Sequence, residues 1–155
     1  MPREQIDIHT RDGLCPTSVF RPEGDGAWPA VIFFMDGLGI RPALFDMGER
    51  LARAGYVVLL PDLFYRAGPY VPFDPKAVFG SGNFRETLGP LMATTNNQLA
   101  AQDTAAFLAY IDTRTDVAGS KIGVIGYCMG GGMALTAAAT YPDRIVATAS
   151  FHGGG

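Results

Sequence analysis

The sequence predicts an α/β protein with a mostly parallel sheet and helices on both faces, and three observations predict it. Short apolar, β-branched runs alternate with stretches of helical periodicity, the pattern of strand–helix–strand units. The run from Pro29 to Met35 is apolar throughout, as a strand covered on both faces must be. Residues Lys121–Tyr141, KIGVIGYCMGGGMALTAAATY, pass from such a run straight into an alanine-rich segment stopped by Pro142. With 155 residues, 48% of them apolar and 17% charged, residues 1–155 amount to one domain's worth of globular chain.

Taken in order, Gln5–Thr10 and Leu14–Phe20 read as strands, and Arg11-Asp12-Gly13 between them as a hairpin turn. Cys15, at the start of the second run, reads as a small packing residue. After the polar stretch Arg21–Trp28 comes the central strand, ending at Asp36-Gly37-Leu38-Gly39. Pro42 then opens a helix whose Leu44, Met47, Leu51 and Ala54 recur at helical spacing, Gly55 ends it, and Tyr56–Leu60 is the next strand. Pro61–Thr95 is the least regular part, rich in proline and carrying Phe64, Tyr65, Tyr70, Phe73, Phe79 and Phe84. So long a connection in a compact domain points to function, and its aromatics argue for order. It reads as a flap over the carboxyl end of the sheet, with a satellite core under a long loop as the alternative. Asn96 or Asn97 caps a helix to about Thr113 with Ala100, Thr104, Phe107 and Ile111 on one face. Ile145–Phe151 is the last strand.

Composition excludes several classes. A net charge of −3 leaves no footprint for nucleic acid or an anionic membrane. No run approaches a membrane span, and MPREQIDIHT lacks the apolar core of a secretory signal, so the cytoplasm is the expected compartment. The two cysteines, Cys15 and Cys128, make neither a disulfide framework nor a metal knuckle, so no metal or cofactor is expected.

The chemistry concentrates at Gly126-Tyr127-Cys128-Met129-Gly130-Gly131. A strand turning directly into a helix strains the turn residue, and flanking glycines let neighbouring backbone come close. The turn lifts one side chain above the sheet and aims it at a helix N-terminus, where anions are favoured. That side chain is a thiol, so the stretch is a G-x-S-x-G nucleophile elbow with cysteine for serine. A helix N-terminus favours the thiolate, the nucleophilic form, and Cys128 is the candidate nucleophile. Its alternative is a buried structural cysteine. A tetrahedral oxyanion needs two N–H donors: Met129, after the nucleophile, and one from the loop after the central strand, Gly37 or else Leu38.

With these residues in place, the chain resembles the dienelactone hydrolase family of the α/β-hydrolase superfamily. Three stretches carry the resemblance. Ala30–Gly39 is similar to the family's central strand ending in an acidic residue and a glycine, Val58–Phe64 with its Pro-Asp-Leu-Phe to the next strand, and Gly123–Gly132 to the G-x-C-x-G-G elbow. The resemblance implies an α/β-hydrolase fold and hydrolysis of a small ester or lactone through an acyl-enzyme on Cys128. It also implies that the acid after the central strand, commonly glutamate, accepts the thiol proton. Here that residue is Asp36, shorter by one methylene, and its equally weighted alternative is a cap for the turn Gly37–Arg41.

The superfamily order of nucleophile, acid, histidine leaves no positions here for the last two. The chain is therefore expected to be the N-terminal portion of a single hydrolase domain, truncated after the strand following the elbow and unable to turn over by itself. His152 reads as a turn or pocket residue, and His9 belongs to the hairpin. Arg66 and Arg85 are candidates to hold a substrate carboxylate. Two other classes stand beside the hydrolase. A dinucleotide-binding site fits poorly, because its glycine loop belongs after the first strand. The stronger rival is a non-catalytic binding or assembly module that keeps the fold without the chemistry.

Overall fold

A computed structural model describes residues 3–153; Met1 and Pro2 of the leader reading, and the closing Gly154 and Gly155, lie outside the described residues. Arg3–Thr10 (β1) and Gly13–Phe20 (β2) form the expected antiparallel hairpin, with Thr10 opposite Gly13. Ala30–Phe34 (β3), Val57–Pro61 (β4), Ile122–Tyr127 (β5) and Ile145–Phe151 (β6) complete a six-stranded sheet in the order β1-β2-β4-β3-β5-β6. β4, β3, β5 and β6 run parallel, and the hairpin joins through an antiparallel β2–β4 pair. Every residue of β3 and β4 is buried, which is why both read as unbroken apolar runs.

Pro42–Arg53 (α1) covers one face of the sheet, packing on β2 and β4, while Asn97–Asp112 (α4) and Met129–Thr140 (α5) lie side by side on the other. Asn96 caps α4, its side-chain oxygen accepting the Leu99 N–H at 2.8 Å, and Ala100, Thr104, Phe107 and Ile111 are all buried. On α1 Leu44, Gly48 and Ala52 are fully buried, Met47 and Leu51 pack half-buried against the core as expected, and Ala54 is left as the exposed C-cap. A Cβ on Gly48 would lie 2.6 Å from the Phe20 ring, so the helix approaches the sheet closely at its glycine.

The segment after β4 is ordered. It holds a 3-10 turn at Tyr65–Ala67 and two short helices, Pro75–Gly80 (α2) and Phe84–Met92 (α3). Leu38, Val78 and Leu88, with Phe73 against them, form an apolar cluster separate from the main core. The flap and the satellite core are therefore one object, a small second core roofing the end of β3.

β6 is the edge strand, and most of it is solvent-exposed, with Val146 at 64% and Phe151 at 44%. Among the described residues no helix is long and apolar enough to cross a membrane.

Candidate active site

Cys128 stands between β5 and α5 with φ 55° and ψ −117°, a conformation that costs a non-glycine residue about 1–3 kcal/mol. Its neighbours fix it there. The Cys128 N–H donates to the Phe151 carbonyl at 2.7 Å, and its own carbonyl accepts from the Gly131 N–H at 2.9 Å. A Cβ on Gly126 would run into the Gly130 carbonyl, and one on Gly130 into the carbonyls of Phe34 and Met35. A Cβ on Gly131 would lie 2.6 Å from Ser150 Oγ. The glycines thus let α5 start directly against the ends of β3 and β6, and the thiol is left exposed at that junction. Met129 is the first residue of α5, so its N–H has no carbonyl one turn back within the helix.

β3 lies beside β5, with Phe34 level with Gly126, so the chain leaving β3 passes the elbow. Asp36 closes the turn that follows. Its Oδ1 accepts from the Leu38 N–H at 3.1 Å and from Arg41 Nη1 at 2.6 Å, and its Oδ2 from Arg41 Nη2 at 2.8 Å. These bonds match the turn-cap reading of Asp36. Both carboxylate oxygens are engaged, and among the described residues neither accepts from the Cys128 thiol. Leu38 spends its N–H on Asp36, whereas the Gly37 N–H has no partner among the described residues. Of the two donors weighed from sequence, Gly37 is the open one.

Tyr70 ties this turn to the flap. Its hydroxyl accepts the Ile40 N–H and donates to Asp62 Oδ1, both at 2.9 Å. Burial raises the Asp62 carboxyl, and it also raises the Tyr70 phenol, with the Asp62 charge adding to the effect. Gly39, at φ 81°, leaves the space this hydroxyl fills, since a Cβ there would lie 2.6 Å from it.

Cys128, Asp36 and Gly37 line one cavity of about 220 Å³, walled otherwise by Leu38, Phe79, Phe84, Leu88 and Met92. A larger apolar hollow of about 380 Å³ lies over β3, β5 and β6, and Cys128 does not line it. His152, also at positive φ (55°), is exposed beyond β6, with no hydrogen bond to Cys128 among the described residues. His9 sits on β1, at the opposite edge of the sheet.

Arg66, one of the two arginines weighed for a substrate carboxylate, is engaged within the protein. Its guanidinium bonds Asp103, which is 1% exposed, and Asp12, so it fastens the base of the flap to α4 and the hairpin. Arg85 is exposed on α3, its guanidinium carbon 5.8 Å from the Phe84 ring centroid. Cys15 is the packing residue the sequence indicates: its thiol donates to the Asp62 carbonyl at 3.4 Å, and burial pushes it up to about 12. Among the described residues no group of three or more His, Cys, Asp or Glu is placed to hold a metal ion.

Sequence reading missed Arg41 and Tyr70. Arg41 left a signal, a cation five residues after Asp36 across a turn. Tyr70 left none beyond its place among the flap aromatics, because its partners are 8 and 30 residues away.

A parallel sheet bordered by an antiparallel hairpin, with a strained strand-to-helix turn presenting an exposed thiol, defines an α/β-hydrolase-fold protein. The family model for the dienelactone hydrolase family matches residues 15–155. Carboxymethylenebutenolidase from Rhodococcus opacus is 28% identical over 145 residues, covering 92% of this chain and 52% of that protein. The enzyme of the same name from Pseudomonas putida is 26% identical over 144 residues, covering 92% and 59%. The crystal structure of dienelactone hydrolase from Anabaena variabilis superposes with a TM-score of 0.69 at 22% identity, over 98% of this chain and 63% of that one. This chain belongs to the dienelactone hydrolase family, and it spans about half the length of the curated relatives it matches.

Proposed function

We propose that these residues supply the nucleophilic side of a site that hydrolyses a small ester or lactone, including butenolide-type lactones of the kind the relatives' name describes. The observation that carries this is the exposed thiol on a strained strand-to-helix turn, sharing a cavity with an unpartnered Gly37 N–H. The Cys128 thiolate attacks the carbonyl carbon, and the oxyanion that forms is held by the Met129 and Gly37 N–H groups. Collapse expels the alcohol oxygen, which takes up a proton, and leaves a thioester on Cys128 that water then cleaves. Asp36 serves first to hold Gly37 in place. Its Oδ2 carries a single bond, from Arg41 Nη2, and so keeps a lone pair with which to accept the thiol proton as well. The substrate is a small molecule rather than a nucleic acid or membrane, and a reducing compartment such as the cytoplasm keeps the thiol free.

Deacylation needs a general base, and among the described residues none bonds the thiol. The expected time course for this chain is a stoichiometric burst followed by slow release. Intact-protein mass spectrometry after a pulse of p-nitrophenyl acetate tests the reading: one acyl group should appear on Cys128, well ahead of Cys15 and ahead of a free thiol in solution. Labelling of Cys128 no faster than a free thiol would instead favour a non-catalytic binding module. Sustained turnover lost in His152→Ala would make His152 the base.

A further inference from the structure

Five carboxylates of the described residues are buried or part-buried: Asp36, Glu49, Asp62, Asp103 and Asp116. Four of them hold an arginine. Arg41 meets Asp36, Arg53 meets Glu49, Arg66 meets Asp103, and Arg21 and Arg114 share Asp116. Asp62 is the exception. Its Oδ1 accepts from the Phe64 N–H at 3.1 Å and from the Tyr70 hydroxyl at 2.9 Å, and its Oδ2 has no partner among the described residues. Nor is that oxygen sealed in, since the buried side-chain atoms left without a partner are Arg41 Nε and Thr95 Oγ1. A carboxylate that burial already raises thus keeps one oxygen open to a donor from outside.

Asp62 lines a hollow of about 420 Å³ between β2 and the start of the flap, toward the hairpin edge of the sheet and away from β6. Tyr65 and Tyr70 supply aromatic rings to its wall, and Leu14, Pro16 and Pro69 supply apolar carbon. A tyrosine face attracts a cation, and the Tyr65 ring already has the Arg66 guanidinium 4.6 Å from its centroid. That guanidinium is shared between Asp12 and Asp103, so carboxylates outnumber cations around the hollow.

We propose that this hollow binds a small organic ammonium ion that carries an N–H. The nitrogen donates to Asp62 Oδ2, and the carbon body lies against the tyrosine rings and the prolines. A guanidinium would want both carboxylate oxygens side by side, and Oδ1 already accepts twice. A calcium-type ion would want several oxygen ligands, and no group of three or more His, Cys, Asp or Glu is placed to hold a metal among the described residues.

The test titrates the ¹⁵N-labelled chain with benzylammonium, benzyl alcohol and benzyltrimethylammonium, watching the Phe64 and Gly68 amides beside the hollow. Sodium chloride holds the ionic strength constant, so a bare counter-ion is always present. Benzylammonium should bind with a Kd of about 1–10 mM and at least about tenfold more tightly than the other two. Asp62→Asn keeps the Oδ1 acceptor for Phe64 and Tyr70 but drops the charge, and should bring benzylammonium down to the level of the alcohol. Leu14→Lys, at an exposed strand position in the wall, supplies a tethered ammonium and should exclude the free one. It carries the test if Asp62→Asn fails to fold. Unmoved Phe64 and Gly68 amides, equal binding of the three ligands, or a preference that survives in a folded variant overturns the proposal. Binding is read without any ester, so the outcome is separate from the role of Cys128.

Discussion

The elbow and the flap meet at one cavity but are held together by different physics. At the elbow, backbone lies on backbone: Gly126 against Gly130, Gly130 against the end of β3, Gly131 against Gly153. No side chain is needed, and none is tolerated at those glycines. The flap is held by a handful of side chains, namely the Leu38, Val78 and Leu88 cluster, the Tyr70 hydroxyl and the Arg66–Asp103 pair. Removing one of these costs a contact, whereas adding one atom at the elbow displaces a strand. Cys128 thus sits on the part of the site that cannot adjust, and the apolar wall of the cavity beside it on the part that can.

The largest effect that separates the two regions is expected from Gly130→Ala. Its methyl group must enter the Phe34 and Met35 carbonyls, so α5 has to move off β3. The loss should exceed about 4 kcal/mol, in the range where single substitutions abolish folding. Circular dichroism and solubility check this; a soluble variant with an unchanged melting curve would show that the helix start has slack the structure does not display.

An intermediate effect is expected in the flap from Tyr70→Phe. The ring remains stacked on Phe73 and edge-on to Phe64, but Ile40 loses an acceptor and the desolvated Asp62 carboxylate loses a donor. Leaving these groups short should cost about 1–3 kcal/mol. Because Ile40 lies in the turn that carries Gly37, acylation of Cys128 should slow severalfold as well. Chemical denaturation paired with burst kinetics reads both; a stability loss with unaltered acylation would uncouple Tyr70 from the turn that carries Gly37.

The smallest effect has the opposite sign. Glycine adopts the φ and ψ of Cys128 without penalty, whereas alanine does not. Cys128→Gly should therefore be more stable than Cys128→Ala by about 1 kcal/mol, a melting temperature about 2–4 °C higher at this chain length. Equal melting points would mean that the turn stores no strain.

The same contrast explains what could be read from sequence. Close backbone approach is written locally, as glycines at fixed offsets, so the elbow and Cys128 were legible. So were the strands, where both faces are buried, and the Asn96 cap, where donor and acceptor are three residues apart. The flap was legible only as an aromatic-rich insertion. Its helices are short, and its partners lie far along the chain: Arg66 reaches 37 residues to Asp103 and 54 to Asp12. Distance in sequence also hid the role of Arg66, which looked available for substrate until its two carboxylates were in view. Asp36 was legible as a residue and ambiguous as a function, because only the position of Arg41 shows where its oxygens point.

Cys15 has a use unconnected with catalysis. Its thiol is wholly buried beneath the hairpin and pushed up to about 12, while the only other thiol stands in solvent. A brief exposure to a disulfide reagent therefore counts one sulfur in folded molecules and two in opened ones. The chain carries its own gauge of local opening, read at the seam between β2 and the start of the flap, and no dye, tag or added residue is needed to calibrate it.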